Sequence, residues 1–516
     1  MKQMVKSGNQ RKLGIVLSYV SIAANAVIQL LYTPIMIRLL GQSEYGIYTL
    51  VGSIVSYLSL FSLGFTGAYL RFYSRFSSRN DEKGVARLNG MFLTLFSFMS
   101  LAAIVCGMIL LQFPTQIFGS KLMASELKTA QLLMAILVFN IALTFPSSLM
   151  DSIVSAHEQF LFQRLLSLAG IVANPFVCLP LLLLGYGSVA VVSVTTAITV
   201  AKLLCNVWYC RKKLYAKFSF HGFEFSLLSE IGAFSFFLFL NMIIDQINWN
   251  VDKLILGHAA GSDSVAVYGV ASQLNSMVMT FSTTISSVFA PRINRIAATE
   301  GKNAANSFTS LFIKVGRIQF LVLSLVASGL VVFGRYFILN IYAGEEYAQA
   351  YPAALLLILP ALIPWCQNLG LEIQRSVNKH QFRSIIYAFM AVINVAISIP
   401  LAQRFGPVGA ALGTACSLLV ANGLIMNIYY QKAIGMDIIA FWKSIFSCAK
   451  GLLIPAAFGA VIMNFVTFNG LVQYFGLILI YTLVYCGSMW CFGMNQDEKN
   501  LLIDPLKKVV GRIRRT

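Results

Sequence analysis

Apolar residues in this chain fall in runs of about 20, separated by short polar stretches, and no other feature constrains the fold as strongly. A helix rises 1.5 Å per residue, so a run of that length crosses the roughly 30 Å of hydrocarbon in a bilayer. Fourteen such segments are read, near 13–37, 45–70, 88–111, 129–152, 164–184, 188–208, 230–251, 265–290, 316–338, 351–371, 384–402, 407–428, 444–463 and 471–492. Composition agrees. Of the 516 residues 58% are hydrophobic and 11% charged, against roughly 25% charged in an average soluble protein. So few charges cannot clothe two or three soluble domains, which excludes a soluble enzyme, a disordered tail and a secreted disulfide scaffold. The predicted fold class is all-α, a polytopic membrane protein of about fourteen transmembrane helices.

Reactive residue types add little. The nine cysteines lie in or beside apolar runs and make no CxxC pair, so they read as reduced helix-packing residues. The four histidines are far apart, without metal-ligand spacing, and no phosphate-binding GxxxxGK loop is present. No cofactor and no metal are expected. The first apolar segment is too long for a cleaved signal peptide and carries Asn25 and Gln29.

Cationic residues set the orientation. Thirty of the 38 Lys and Arg fall in the N-terminus, the C-terminus and the even-numbered junctions, and six fall in the odd-numbered ones. This bias predicts cytoplasmic termini in the cytoplasmic membrane. The net charge of +19 then faces anionic lipid, and no nucleic-acid partner is needed to explain it. The basic tail from Lys507 to Arg515 is expected to anchor topology. Outer junctions are short, leaving no room for an external catalytic domain.

The two halves resemble each other at an offset near 220 residues. Leu39-Leu40-Gly41 with Tyr45-Gly46-Ile47 recurs as Ile255-Leu256-Gly257 with Tyr268-Gly269-Val270. Arg71 recurs as Arg292, Asp151 with Gln159-Phe160 as Glu372 with Gln381-Phe382, Asn174 and Pro180 as Asn394 and Pro400, and Asn206 as Asn427. Six helices per copy is an even number, so both copies enter from the same side, as parallel repeats do. The expected organisation is an N-lobe over 1–215, a C-lobe over 216–435, and helices 13 and 14 with the basic cytoplasmic tail over 436–516.

The stretches RLLGQSEYGIY (38–48), VDKLILG (251–257), VYGVASQL (267–274) and GPVGAALGTACS (406–417) carry a family resemblance. The chain resembles the polysaccharide-transport branch of the multidrug/oligosaccharidyl-lipid/polysaccharide exporter superfamily, which holds the O-antigen and capsular repeat-unit flippases. The resemblance implies two six-helix lobes and alternating access. It also implies an undecaprenyl-diphosphate-linked oligosaccharide as cargo, membrane lipids as surroundings, and glycosyltransferases and a polymerase of the same pathway as partners. No enzymatic activity is expected. The rival readings are a cation-coupled multidrug antiporter of the same superfamily and a membrane glycan polymerase or ligase. Helix 1 carries Asn25 and no carboxylate, which counts against the antiporter, and the short outer loops count against the polymerase.

Polar residues inside the spans are the candidate site, because a charged side chain at mid-bilayer costs roughly 2.5–3.5 kcal/mol on insertion scales. Helix 1 carries Ser18, Ser21, Asn25, Gln29 and Tyr32, and helix 7 carries Asn241, Asp245, Asn248 and Asp252, each at helical spacing. Two polar walls of a wet cavity are expected, with interhelical hydrogen bonding as the alternative. Asn25, Gln29, Asn241 and Asn248 are candidate substrate-binding residues. Arg71 and Arg292, whose forks suit diphosphate oxygens, are candidate headgroup contacts, with topology anchoring as their alternative. Asp245, the deepest acid of helix 7, is the candidate coupling or gating carboxylate, with hydrogen-bonded packing and direct sugar contact as its alternatives. Asp252 and Lys253 are expected as a solvated pair, and Gly409 and Gly413 as a close-packing GxxxG pair.

Overall fold

The computed structural model describes residues 2–62, 65–221, 225–379, 381–468, 470–501 and 503. His380 and the tail from Lys507 to Arg515 lie outside these. Helix dominates throughout, and no strand occurs among the described residues. Within a bilayer every backbone N–H and C=O must bond inside its own segment, which is what helices achieve.

Two compact units emerge from the packing. Unit 1 holds Met1–Gly269 together with Ile399–Ala410, and unit 2 holds Val270–Ser398 together with Ala411–Thr516. The helices of unit 1 are α1 (Lys2–Leu40), α2 (Gln42–Leu58), α3 (Phe65–Ser77), α4 (Glu82–Leu111), α5 (Pro114–Phe118), α6 (Ala124–Ala156), α7 (Phe160–Leu183), α8 (Gly187–Lys212) and α9 (Phe225–Ala260). Helix α10 (Ser262–Glu300) begins in unit 1 and continues in unit 2. Unit 2 adds α11 (Ala305–Tyr336), α12 (Ala350–Cys366), α13 (Leu369–Ser376), α15 (Met426–Tyr429), α16 (Ile438–Ala449), α17 (Leu453–Phe465) and α18 (Leu471–Ser488), and α14 (Gln381–Leu418) belongs to it except for Ile399–Ala410.

Among the described residues ten helical segments are long and apolar enough to cross a membrane, or eleven when the bent pair α12 and α13 counts as one. That measure does not reach fourteen. Part of the difference has a physical cause, because one 54-residue segment, Gln381–Ile434, is read as a single span. Its α14 contains Gly406 at φ 58°, ψ −135°, outside helical geometry and open mainly to glycine. Beyond that break, a Cβ on Gly409 would collide with the carbonyl of Leu401. One on Gly413 would collide with the hydroxyl of Ser398. The GxxxG pair therefore does serve close packing of one arm on the other. The 43° bend between α12 and α13 follows Pro360 and Pro364.

Matched contacts recur in the two units at the offset seen in the sequence. Phe162 stacks on Tyr209 with centroids 3.9 Å apart, and Phe382 stacks on Tyr429 at 4.3 Å. Asn174 donates to the Thr195 hydroxyl and accepts from the Cys178 thiol, while Asn394 donates to Thr414 and accepts from Ser398. Each unit also buries its own aromatic core. In unit 1 it gathers Phe65, Tyr69, Phe72, Phe92 and Phe96, and in unit 2 Phe333, Tyr474 and Tyr481 with Ile462.

Candidate functional site

The RLLGQSEYGIY stretch builds one end of unit 1. Gly41, at φ 74°, lets α1 stop and α2 start one residue later. Ser43 then donates to Glu126, and Ser262, at the start of α10, donates to the same carboxylate oxygen at 2.7 Å. The other oxygen of Glu126 takes the Met123 N–H at 2.8 Å. Glu44 accepts from the backbone N–H and hydroxyl of Ser188 at 2.6 and 2.7 Å, so its charge sits at the N-terminus of α8. Gly46 completes the joint, since any Cβ there would strike the Ser262 carbonyl. The motif is thus a structural clasp. Arg38, in the last turn of α1, is exposed beside it.

The polar side chains described on α9 do not share one environment. Gln246 reaches toward α2, donating to the Ser56 carbonyl and the Ser59 hydroxyl, both at 3.1 Å, and accepting from Asn250 at 2.6 Å. Asp245, one residue earlier, is exposed, and Asn248 is half-buried. The side chain of Asn241 lies outside the described residues. Asp252 corrects the expectation of a solvated pair. It is 2% exposed and accepts the hydroxyl of Tyr268, on α10, at 2.5 Å.

On α1, Ser21 is buried and donates back to the Leu17 carbonyl at 2.8 Å. Asn25 is exposed and Gln29 half-buried. Asn25 lines a cavity of about 600 Å³ whose other walls come from α7 (Ser167, Gly170, Asn174) and α8 (Lys202, Cys205). Lys202 also holds a residue that sequence reading used only as a repeat marker. Its Nζ lies 3.0 Å from Asp151 on α6, and the second oxygen of that carboxylate accepts from Asn206 at 2.8 Å. A lysine within a span requires an anion nearby, and that rule is the signal by which this pair was findable. A second cavity in unit 1, about 660 Å³, is nearly all apolar, walled by residues such as Leu58, Phe61, Leu110 and Leu254.

Unit 2 treats the equivalent positions differently. At an offset of 220, Lys202 becomes Asn422 and Ser167 becomes Tyr387, and Tyr387 donates to Asn422 at 2.6 Å. Arg383 lies 4.5 Å from the Tyr387 ring and donates to its hydroxyl at 2.9 Å. Gly170 becomes Met390, 5% exposed. Asn427, the equivalent of Asn206, accepts from Gln367 at 2.6 Å and from the Trp442 indole at 3.1 Å. Glu372 pairs with Arg375 on its own short helix at 3.0 Å. Elsewhere in unit 2, Arg317 forks onto Glu498 at 2.6 and 2.9 Å and donates to the carbonyls of Ser444 and Gly493.

The two predicted headgroup arginines are exposed. Arg71 stands on α3 with its guanidinium 6.0 Å from the Phe72 ring, and Arg292 stands on α10 next to Pro291. Each lies in a different unit.

A family model described as "Polysaccharide biosynthesis protein" matches residues 13–297. A protein of Shigella flexneri named "Putative O-antigen transporter" is 21% identical over 399 residues, covering 76% of this chain and 91% of that one. The membrane protein EpsK of Bacillus subtilis (strain 168) is 22% identical over 509 residues, covering 93% and 95%. Among solved structures, a lipid II flippase, MurJ, in an inward closed conformation superposes with a TM-score of 0.72 at 15% identity, covering 96% of this chain and 99% of that one. An inward-facing multidrug resistance transporter of the MATE family gives 0.60 at 15% identity, covering 81% and 99%. At these identities the structural likeness establishes the fold.

Proposed function

The chain belongs to the polysaccharide biosynthesis protein family, and on that footing we propose that it flips a lipid-linked oligosaccharide across the cytoplasmic membrane. The cargo is an undecaprenyl-diphosphate-linked repeat unit of a surface polysaccharide, and the route is alternating access of two lobes, 1–215 and 216–435, with 436–516 outside the repeat. Both termini face the cytoplasm, as the cation bias requires. The observation that carries this reading is the family match over residues 13–297. The polar groups held within the spans supply a physical means. Asn25, Gln29, Asn241 and Asn248 offer hydrogen bonds to sugar hydroxyls. Arg71 and Arg292 offer forked donors to the diphosphate, and Asp245 offers a carboxylate that responds to protonation or a cation. Glycosyltransferases and a polymerase would act before and after this step.

The experiment is depletion of the chain in its own host. Accumulation of lipid-linked repeat units on the cytoplasmic side, reversed by re-expression, supports the flippase. Unchanged polysaccharide together with loss of resistance to cationic dyes would support the antiporter instead. Polymerised glycan made by the purified chain alone would support the polymerase.

A further inference from the structure

Lys202 lies fifteen residues along α8 from Gly187, roughly 22 Å of helix at 1.5 Å per residue, and so within the span. Asp151 neutralises it, and Asn206 holds Asp151 from the other side. The pair is not sealed: the two side chains are 33% and 22% exposed, and Lys202 forms part of the cavity wall. An ammonium that already has its carboxylate does not need an adjoining hollow. The hollow is walled largely by apolar side chains, Ile28, Leu166, Ile171 and Ile198 among them, and its polar groups are Ser167, Lys202 and the amides of Asn25 and Asn174. The repeat argues the same point. Where unit 2 carries the same helix pair it places Tyr387 and Met390 at the positions of Ser167 and Gly170, and Asn422 at that of Lys202. At this place the first copy therefore carries a lysine on a carboxylate, where the second carries Asn422 bonded to Tyr387, with Arg383 on the same hydroxyl.

We propose that this cavity of unit 1 is a phosphoryl-anion subsite, in which Lys202 exchanges its contact with Asp151 for an oxygen of the cargo's diphosphate while Asn25 and Asn174 donate amide hydrogens. The proposal rests on the flippase reading for the source of the anion. Its chemistry is that of any diphosphate. Asp151 and the anion compete for one ammonium, so the two charges of the pair act in opposite senses: removing Lys202 weakens binding, and removing Asp151 strengthens it.

The test uses the full chain in lipid nanodiscs, titrated with geranylgeranyl diphosphate and, separately, with inorganic diphosphate. Lys202→Gln is expected to weaken binding of the prenyl diphosphate about tenfold or more, as loss of a charged hydrogen bond would. Asp151→Asn is expected to tighten it several-fold. The double variant removes both charges, should recover the stability that either single change costs, and should bind no better than Lys202→Gln. Tighter binding of the prenyl compound identifies a lipid headgroup as the ligand, and equal binding identifies a free phosphate, with Lys202 dependence supporting the site in both cases. Equal weakening by the two single variants would reduce the pair to a structural clamp and overturn the proposal, as would a double variant that binds like the wild type. The two levels separate by transport. Diphosphate binding that depends on Lys202 without any lipid flipping would sink the function reading and spare the subsite. Full flipping by Lys202→Gln would do the reverse.

Discussion

In unit 1 the α7–α8 hairpin has Ser167 and Gly170 on the wall of a cavity and a lysine at its edge; 220 residues later the same places hold Tyr387, Met390 and Asn422. The framework is shared, as the matched stacks of Phe162 on Tyr209 and Phe382 on Tyr429 show. What differs is how charge is held. Unit 2 keeps its Arg317–Glu498 pair 5% and 4% exposed, with the guanidinium's remaining donors on backbone carbonyls. Unit 1 leaves Lys202 and Asp151 partly accessible beside open space. A buried and fully bonded pair is costly to disturb, whereas a partly open pair can change partners. The comparison teaches that one chain can seal one ion pair and leave another exchangeable, the sealed pair drawing on Glu498 from outside the repeat.

The largest effect should come from breaking the clamp of unit 2. Arg317→Ala leaves Glu498 buried without its cation and is expected to cost about 3–5 kcal/mol of stability, read as a lowered thermal midpoint in detergent. Lys202→Gln, at a pair that is partly exposed and whose carboxylate keeps its bond from Asn206, should cost about 1–3 kcal/mol. Equal losses at the two sites would erase the contrast.

Exchanging the filling residues sharpens it. Met390→Ala should destabilise unit 2 by about 2–5 kcal/mol, the usual cost of emptying a packed position, with transport affected only through protein level. The reverse exchange, Gly170→Met with Ser167→Tyr, fills the hollow of unit 1. It should lower transport about tenfold while costing only about 1–3 kcal/mol of stability, the usual cost of overpacking. A wild-type transport rate in that variant would show the hollow to be idle.

Sequence reading reached the helical framework because long apolar runs and the 220-residue offset each follow from a simple rule of period. It reached Gly409 and Gly413 for the same reason. It did not bring Lys202 to Asp151, which lie 51 positions apart on different helices. Nor did it see that Tyr268 would bury Asp252, because helix periodicity assigns a face without saying which neighbour covers it. Gln246, which makes the α2 contacts, sits beside the expected stripe instead of on it. The candidate site was legible as a set of costly residues and illegible as a set of partners.

Two smaller effects concern the exposed arginines and Asp245. Replacing Arg71 and Arg292 together by Gln should lower export several-fold and raise the internal pool of lipid-linked units. The double Lys variant should be milder, since charge remains and fork geometry is lost. Full export by the Gln variant would make both residues topology anchors. Asp245→Asn keeps shape and much of the hydrogen bonding and removes titration. It should leave binding within about twofold and flatten the dependence of transport on pH or sodium, a change below about 0.4 kcal/mol in binding. An unaltered dependence would exclude Asp245 from coupling.

Reconstitution tests the central claim most directly. The purified chain is placed in liposomes whose inner leaflet alone carries a fluorescent undecaprenyl-diphosphate-linked oligosaccharide, and the label is quenched from outside. The account predicts that quenching proceeds with the wild-type chain and slows at least severalfold with Gly170→Met/Ser167→Tyr. A wild-type chain that leaves the inner pool unquenched, in liposomes where it expels a cationic dye, would contradict it.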